Sequence, residues 1–348
     1  MPAFIPAETS VEHAGKTIAL DHSRGDLAFV SHAHTDHSAA LGRRNPVLAS
    51  EETVALYEAR SGKAFQGELL YPQQLGQGQK NLLEETSIKL FEAGHVLGAR
   101  QIFVEGGGKS FCYTGDFNAL PSSCCPAAVP VECGELVVEC TFGSPEYVFP
   151  EREELHRQIA SWVQEGLDAG ENVVLGGYSL GKAQELVKIV NELVGAAPLV
   201  DDSIARVSKV YSRFGCGLDF VEVGSSEAGR MLKHAFAAVL PMHSLTPQLA
   251  GSLQDFYKRP ARTAVATGWA LTNQFYGVDA AFPLSDHSDF PALEKFVLET
   301  GAKKVFCTHG FEKKFASHLR KKGVDAVPLG SAKNSLKTES EPQKKLLL

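Results

Sequence analysis

The chain has 348 residues, enough for two domains or for one domain carrying a large insertion, and its 44% hydrophobic and 22% charged residues are those of an ordinary globular protein. No stretch approaches the length of a membrane-spanning helix, and the N-terminus MPAFIPAETS lacks the basic-then-apolar pattern of a secretory signal. The net charge of −7 argues against a protein basic all over, although residues 301–348 gather eleven Lys/Arg against four Asp/Glu, a basic end that can meet a polyanion locally. Seven cysteines, an odd number with no Cys-x-x-Cys pair, read as reduced thiols of a cytoplasmic protein and argue against a cysteine zinc site.

In chain order, residues 17–20 form a short apolar strand ending at Asp21. The run 27–30 reads as a buried strand delivering Ser31-His32-Ala33-His34-Thr35-Asp36-His37-Ser38. His32 and His34 stand two apart, so on extended chain both imidazoles point to one side. Asp36 and His37 follow where the chain turns into a short helix, 38–41. Four candidate ligands within six positions fit two adjacent metal ions with a pair for each, and zinc accepts this mix of imidazole and carboxylate. A helix at 51–60 follows, then strands at 88–91, 101–104, 111–113 and 135–138, which together predict a sheet-rich layered unit.

The pattern changes near Pro150. An amphipathic helix at 151–169, a strand at 172–175 and a helix at 182–194 predict a parallel α/β unit, continuing less clearly to about Gly277. Short strands then return, with 305–307 the clearest and a helix at 311–322 behind it. The last residues, 331–348, are polar and are expected to be disordered. The expected organisation is therefore 1–149, an insertion at 150–277, a return at 278–330 and a tail.

Further His and Asp residues recur where apolar segments end: His95, Asp116, His287 and His309. Singly, each could be a turn with a polar cap. Gly176-Gly177-Tyr178-Ser179-Leu180-Gly181-Lys182-Ala183 nearly matches a nucleotide-binding P-loop but fails at Ala183, where a hydroxyl should meet magnesium. A helix start packed between domains and a phosphate contact through Lys182 and Ser179 are equally good readings of it. His13, His22, His156, His234, His243 and His318 match no motif, and Arg206, Lys209 and Arg213 read as a solvated face.

His32-Ala33-His34-Thr35-Asp36-His37, Gly94-His95-Val96-Leu97-Gly98 and Thr114-Gly115-Asp116-Phe117 resemble the successive metal motifs of the metallo-β-lactamase superfamily. Glu139-Cys140-Thr141-Phe142-Gly143, Asp286-His287-Ser288-Asp289 and Thr308-His309-Gly310 resemble the extra motifs of its β-CASP nuclease branch. The stretches 178–184 and 267–269 are similar to those of bacterial and archaeal exonucleases found beside DNA ligases. This resemblance implies an α/β fold, an αββα sandwich with an inserted β-CASP domain. It implies two zinc ions, with manganese as an alternative: His32, His34 and His95 on one, Asp36, His37 and His309 on the other, and Asp116 bridging. It implies Asp36, His287 and Glu139 as catalytic, with His287 the acid and Glu139 its orienter, and Asp21 as a supporting residue behind the ligands. The expected partner is nucleic acid, DNA ahead of RNA, with no membrane; a homodimer and association with a DNA ligase or helicase are further expectations. An RNA-processing member of the branch is the first alternative, then a small-molecule hydrolase and a catalytically dead scaffold.

Overall fold

The computed structural model describes residues 2–6, 9–13, 15–72 and 86–331, so the expected disordered tail lies outside the described residues beyond Ser331. The first sheet runs in chain order through β1 (Ala3–Ile5), β2 (Ser10–His13), β3 (Lys16–Leu20), β4 (Leu27–Phe29), β5 (Pro46–Leu48) and β6 (Glu68–Leu70), with α1 (Glu51–Ser61) between the last two. Its first three strands are antiparallel and the rest parallel. The second sheet holds β7 (Ser87–Glu92), β8 (Arg100–Gly106), β9 (Lys109–Tyr113), β10 (Glu135–Glu139), β17 (Lys304–Thr308) and β18 (Asp325–Pro328) side by side, antiparallel from β7 to β9 and parallel beyond.

Period-two alternation builds the sandwich. In β4, Leu27 and Phe29 face the second sheet while Ala28, and Val30 just past the strand, face outward; in β8, Ile102 and Val104 face the first sheet while Phe103 faces the other way. Between the sheets lie Ile18, Leu20, Phe29 and Leu48 against Ile102, Phe111, Tyr113, Val137 and Phe306. Outside, α7 (Phe290–Glu299) and α8 (Glu312–Lys321) cover the second sheet through Leu293, Phe296, Phe315 and Leu319, and Tyr57 of α1 joins the layer on the first sheet. The helix–sheet–sheet–helix order expected from the sequence is present.

A third sheet is all parallel, ordered β13 (Val221–Glu222), β12 (Leu199–Val200), β14 (Ala237–Pro241), β11 (Asn172–Gly177), β15 (Ala261–Ala266), β16 (Ala280–Phe282). A parallel sheet needs both faces covered. Here α2 (Arg152–Asp168), α3 (Lys182–Ile189) and α4 (Asp202–Arg213) close one face through Leu155, Ile159, Leu186 and Ile204. The other is closed by α5 (Ser226–Met231) and α6 (Leu249–Tyr257). Because β16 pairs with β15, the strand just past residue 277 belongs to this sheet rather than to the sandwich. The helix expected over 182–194 is α3 followed by one π-helical turn, Val190–Val194, ending at Gly195 with φ +73°.

Loop crossings beside the candidate ligands depend on glycine. Gly94, just before His95, has φ +72°, and a Cβ there would lie 2.4 Å from the Asn118 carbonyl oxygen and 2.8 Å from the Ala128 nitrogen. Both are backbone atoms and cannot swing away. Gly94→Ala is expected to cost roughly 2–4 kcal/mol, read as a lower urea midpoint with an unchanged slope; a midpoint equal to wild type would contradict this packing.

Candidate metal centre

The C-terminal ends of β4, β7, β9, β10 and β17 meet at one rim, and each delivers one piece of the centre. His32 and His34 follow β4, His95 follows β7, Asp116 follows β9, Glu139 is the last residue of β10, and His309 follows β17. His287 follows β16 of the third sheet.

Two groups form. In the first, the Nε2 atoms of His32 and His95 each lie 3.0 Å from Nδ1 of His34, and Asp116 Oδ2 is 3.7 Å from His32 and 3.8 Å from His95. In the second, Asp116 Oδ2 lies 3.5 Å from Nε2 of His37, and His309 completes the set. Nitrogens this close fit the edge of a tetrahedron around zinc, about 3.3 Å for bonds near 2.0–2.1 Å. The second oxygen of Asp116 is buried and has no hydrogen-bond partner among the described residues, an orphan that a bound cation satisfies. The donor set therefore fits divalent metal ions, with Asp116 common to both groups. Asp36 stands apart from both: its side chain is 76% exposed, with Oδ2 3.6 Å from Nε2 of His37.

The rings of His32, His34, His37 and His95 are each held from behind at the nitrogen facing away from the centre, which fixes which nitrogen is presented. Ser31 Oγ meets His32 Nδ1 at 2.9 Å, the Leu180 carbonyl meets His34 Nε2 at 3.2 Å, and the Asp286 carbonyl meets His95 Nδ1 at 3.0 Å. Asp21 takes His37 Nδ1 at 2.7 Å and accepts from Ser31 N, Ser31 Oγ and Tyr113 Oη at 2.6, 2.6 and 2.8 Å. Asp21 and His309 both have positive φ, +57° and +61°, a cost tolerated where surrounding contacts fix the backbone.

Burial pushes the imidazoliums of His32 and His95 well below their usual range, and that of His34 to about 3, leaving neutral rings able to ligate. For His37, burial pulls downward but Asp21 and Asp116 outweigh it and raise the ring to about 10. The metal-facing proton of His37 must leave when a cation binds.

His287 lies alongside with Nδ1 2.9 Å from Glu139 Oε1, while Glu139 also accepts from Thr141 N at 2.7 Å. Burial of His287 is outweighed by Glu139, so its imidazolium is raised; burial of Glu139 is likewise outweighed by His287, so its carboxyl is lowered. A cleft of about 390 Å³ opens beside the centre, lined by His34, His95, Asp116 and His287 together with Phe142, Tyr178, Thr267 and Trp269. The role of Thr267, Gly268 and Trp269 as wall, at the end of β15, was not read from the sequence, nor was that of Tyr113. Lys182 lines the cleft but is buried, with Nζ 2.7 Å from Asp286 Oδ2 and 5.0 Å from the Tyr178 ring centre. Ser179 sits behind the turn, its hydroxyl facing Ser203. Arg206 and Lys209 pair on the surface with Asp202 and Glu222. Asp21→Ala is expected to weaken metal binding about 10–100-fold, measured by chelator competition; wild-type affinity would show that the Asp21–His37 contact does not support the site.

No protein-family model matches the chain. It is 34% identical over 311 residues, 87% of its own length, to a probable DNA ligase of Opitutus terrae. It is 28% identical to an RNase J-like protein of Methanocaldococcus jannaschii over 58% of the chain, and 25% identical to human DNA cross-link repair 1A protein over 80%. The chain spans 28%, 53% and 28% of the length of these three relatives. Among solved structures, a protein of unknown function from Enterococcus faecalis V583 shares the fold with a TM-score of 0.56 at 14% identity, covering 83% of this chain and 76% of that one. Motif order, a centre at the strand ends of an αββα sandwich and these relatives agree: the chain belongs to the β-CASP branch of the metallo-β-lactamase superfamily.

Proposed function

We propose that this protein hydrolyses phosphodiester bonds of nucleic acid with two zinc ions, manganese being the alternative metal, and that DNA is favoured over RNA. The observation that carries the reading is the pair of ligand groups sharing Asp116 at the floor of a cleft, with the His287–Glu139 pair beside them. In it, His32, His34 and His95 hold one ion and His37 and His309 the other, with Asp116 serving both. Asp36, 3.6 Å from His37, joins the second by rotation of its exposed side chain. When bound, such a pair of ions supplies an activated water and neutralises the phosphoryl oxygens.

The remaining chemistry falls to the chain. Glu139 accepts from Nδ1 of His287 and favours its imidazolium, whose Nε2 then carries the proton that the departing sugar oxygen requires. Tyr178 and Trp269 in the cleft lining offer aromatic surface to bases. Lys182, paired with Asp286, borders the cleft as part of its polar lining, and Ser179 contributes from farther back. Taking the inserted unit to start near 150 and to run past the expected limit at 277 so as to include β16, the cleft lies between that unit and the sandwich.

The names of the relatives from Opitutus terrae and human favour DNA, and the first supports a place beside a DNA ligase; helicase association and a homodimer belong to the same reading. The free cysteines support a cytoplasmic location, and among the described residues no helix is long and apolar enough to cross a membrane. The RNase J-like relative supports RNA as the second reading. End-labelled single-stranded DNA and RNA of matched sequence, incubated with and without chelator, separate these. Chelator-sensitive cleavage of DNA is expected; cleavage of RNA alone would install the second reading, and cleavage of neither would end both. His287→Ala should retain wild-type metal content while losing about 10²–10⁴-fold in turnover; loss of a metal ion in that variant would refute its role as acid.

A further inference from the structure

The P-loop-like turn between β11 and α3 is left without a nucleotide to bind, yet it is among the most tightly held segments of the molecule. Gly181 has φ +97°, and a Cβ there would meet Val96 Cγ1 at 2.8 Å and Asp286 Oδ2 at 2.9 Å. The turn is therefore pressed directly against the loop that carries His95 and the residue whose carbonyl holds His95. Gln184, fully buried, ties it from inside with three hydrogen bonds. Its Oε1 accepts from Gly181 N at 2.8 Å, and its Nε2 donates to the Ser179 carbonyl and to Ser208 Oγ, each at 3.1 Å. What the turn presents to the centre is the Leu180 carbonyl, 3.2 Å from His34 Nε2. Next to it, Lys182 grips Asp286 at 2.7 Å, and the Asp286 carbonyl takes His95 Nδ1 at 3.0 Å.

We propose that this turn is an orienting device for the first metal group, and that Gln184 is a positioning residue for His34 although it touches no ligand. A His34 ring presenting Nδ1 to a cation must carry its proton on Nε2, and the Leu180 carbonyl accepts that proton's hydrogen bond. The carbonyl is placed by the turn, and the turn by Gln184. His37 is backed instead by Asp21 from within the sandwich, and among the described residues no hydrogen bond joins His309 to the third sheet. The third sheet thus reaches one metal group and not the other. This rests on the metal reading given above.

The test is metal binding by the full chain, using Zn²⁺ and Co²⁺ with a competing chelator, and Co²⁺ absorption as a report on ligand geometry. Wild type binding two ions establishes the premise; wild type binding none would remove the metal reading itself. Gln184→Ala is expected to weaken one of the two ions about 10-fold or more and leave the other within twofold, with an altered Co²⁺ spectrum for the weakened site. Leu253→Ala on the far face of the third sheet serves as the control, lowering the melting temperature without changing either affinity. Two unchanged affinities in Gln184→Ala, or an equal loss at both sites, would overturn the proposal. Should Gln184→Ala not fold, Ser208→Ala removes one of the three bonds and is read the same way.

Discussion

The structure turns on a crowding of imidazoles around one buried carboxylate. The Nε2 atoms of His32 and His95 each stand 3.0 Å from Nδ1 of His34, and Asp116 sits within 3.5–3.8 Å of His32, His37 and His95 with an oxygen left unpaired. Lone pairs facing inward repel, and a buried carboxylate is costly without a partner. A bound divalent cation resolves both at once. The rest of the fold can be understood as the scaffold that brings residues from five strand ends to that point and keeps them there.

Much of this was legible in the chain. The spacing of His32 and His34 after an apolar run puts two rings on one side because strand periodicity leaves no alternative, and the short-strand segments fell where β3, β4, β7 to β10 and β17 lie. β1 and β5 were not read, since three residues span barely one period; β4 is as short but lies in the apolar run 27–30 just before the histidine motif. The partners behind the ligands were equally invisible. Leu180 and Asp286 act through backbone carbonyls, which every residue possesses, so their identity carries no signal; Tyr113 gave none beyond being an apolar strand residue with a hydroxyl. The position of Asp36 shows the converse. Its place in the motif suggests a ligand equal to its neighbours, while the structure leaves its side chain in solvent beside the group.

Within the inserted unit, buried polar contacts tie α2 to α3 and to the loop after β16. Glu185 on α3 receives Arg152 through two bonds of 2.7 and 2.8 Å and His156 at 3.0 Å, and its carboxyl is held down to about 2, since these partners outweigh its burial. Arg152 continues to the Ser285 carbonyl, one residue from Asp286. Buried networks of this kind contribute little net stability when complete and are costly when broken. They suit a junction that must hold one geometry, because a loosened alternative would strand charges without water.

The separation in sequence between His32 and His309 has a consequence for the making of the protein. More than three hundred residues of this sequence must leave the ribosome before the second metal group has its full complement, and the acid candidate His287 also emerges late. The early strands, with His32, His34 and His37, can pair long before that. A nascent chain would therefore carry half a centre through most of its synthesis, and the proposed hydrolytic activity arises only when translation of the core is all but finished.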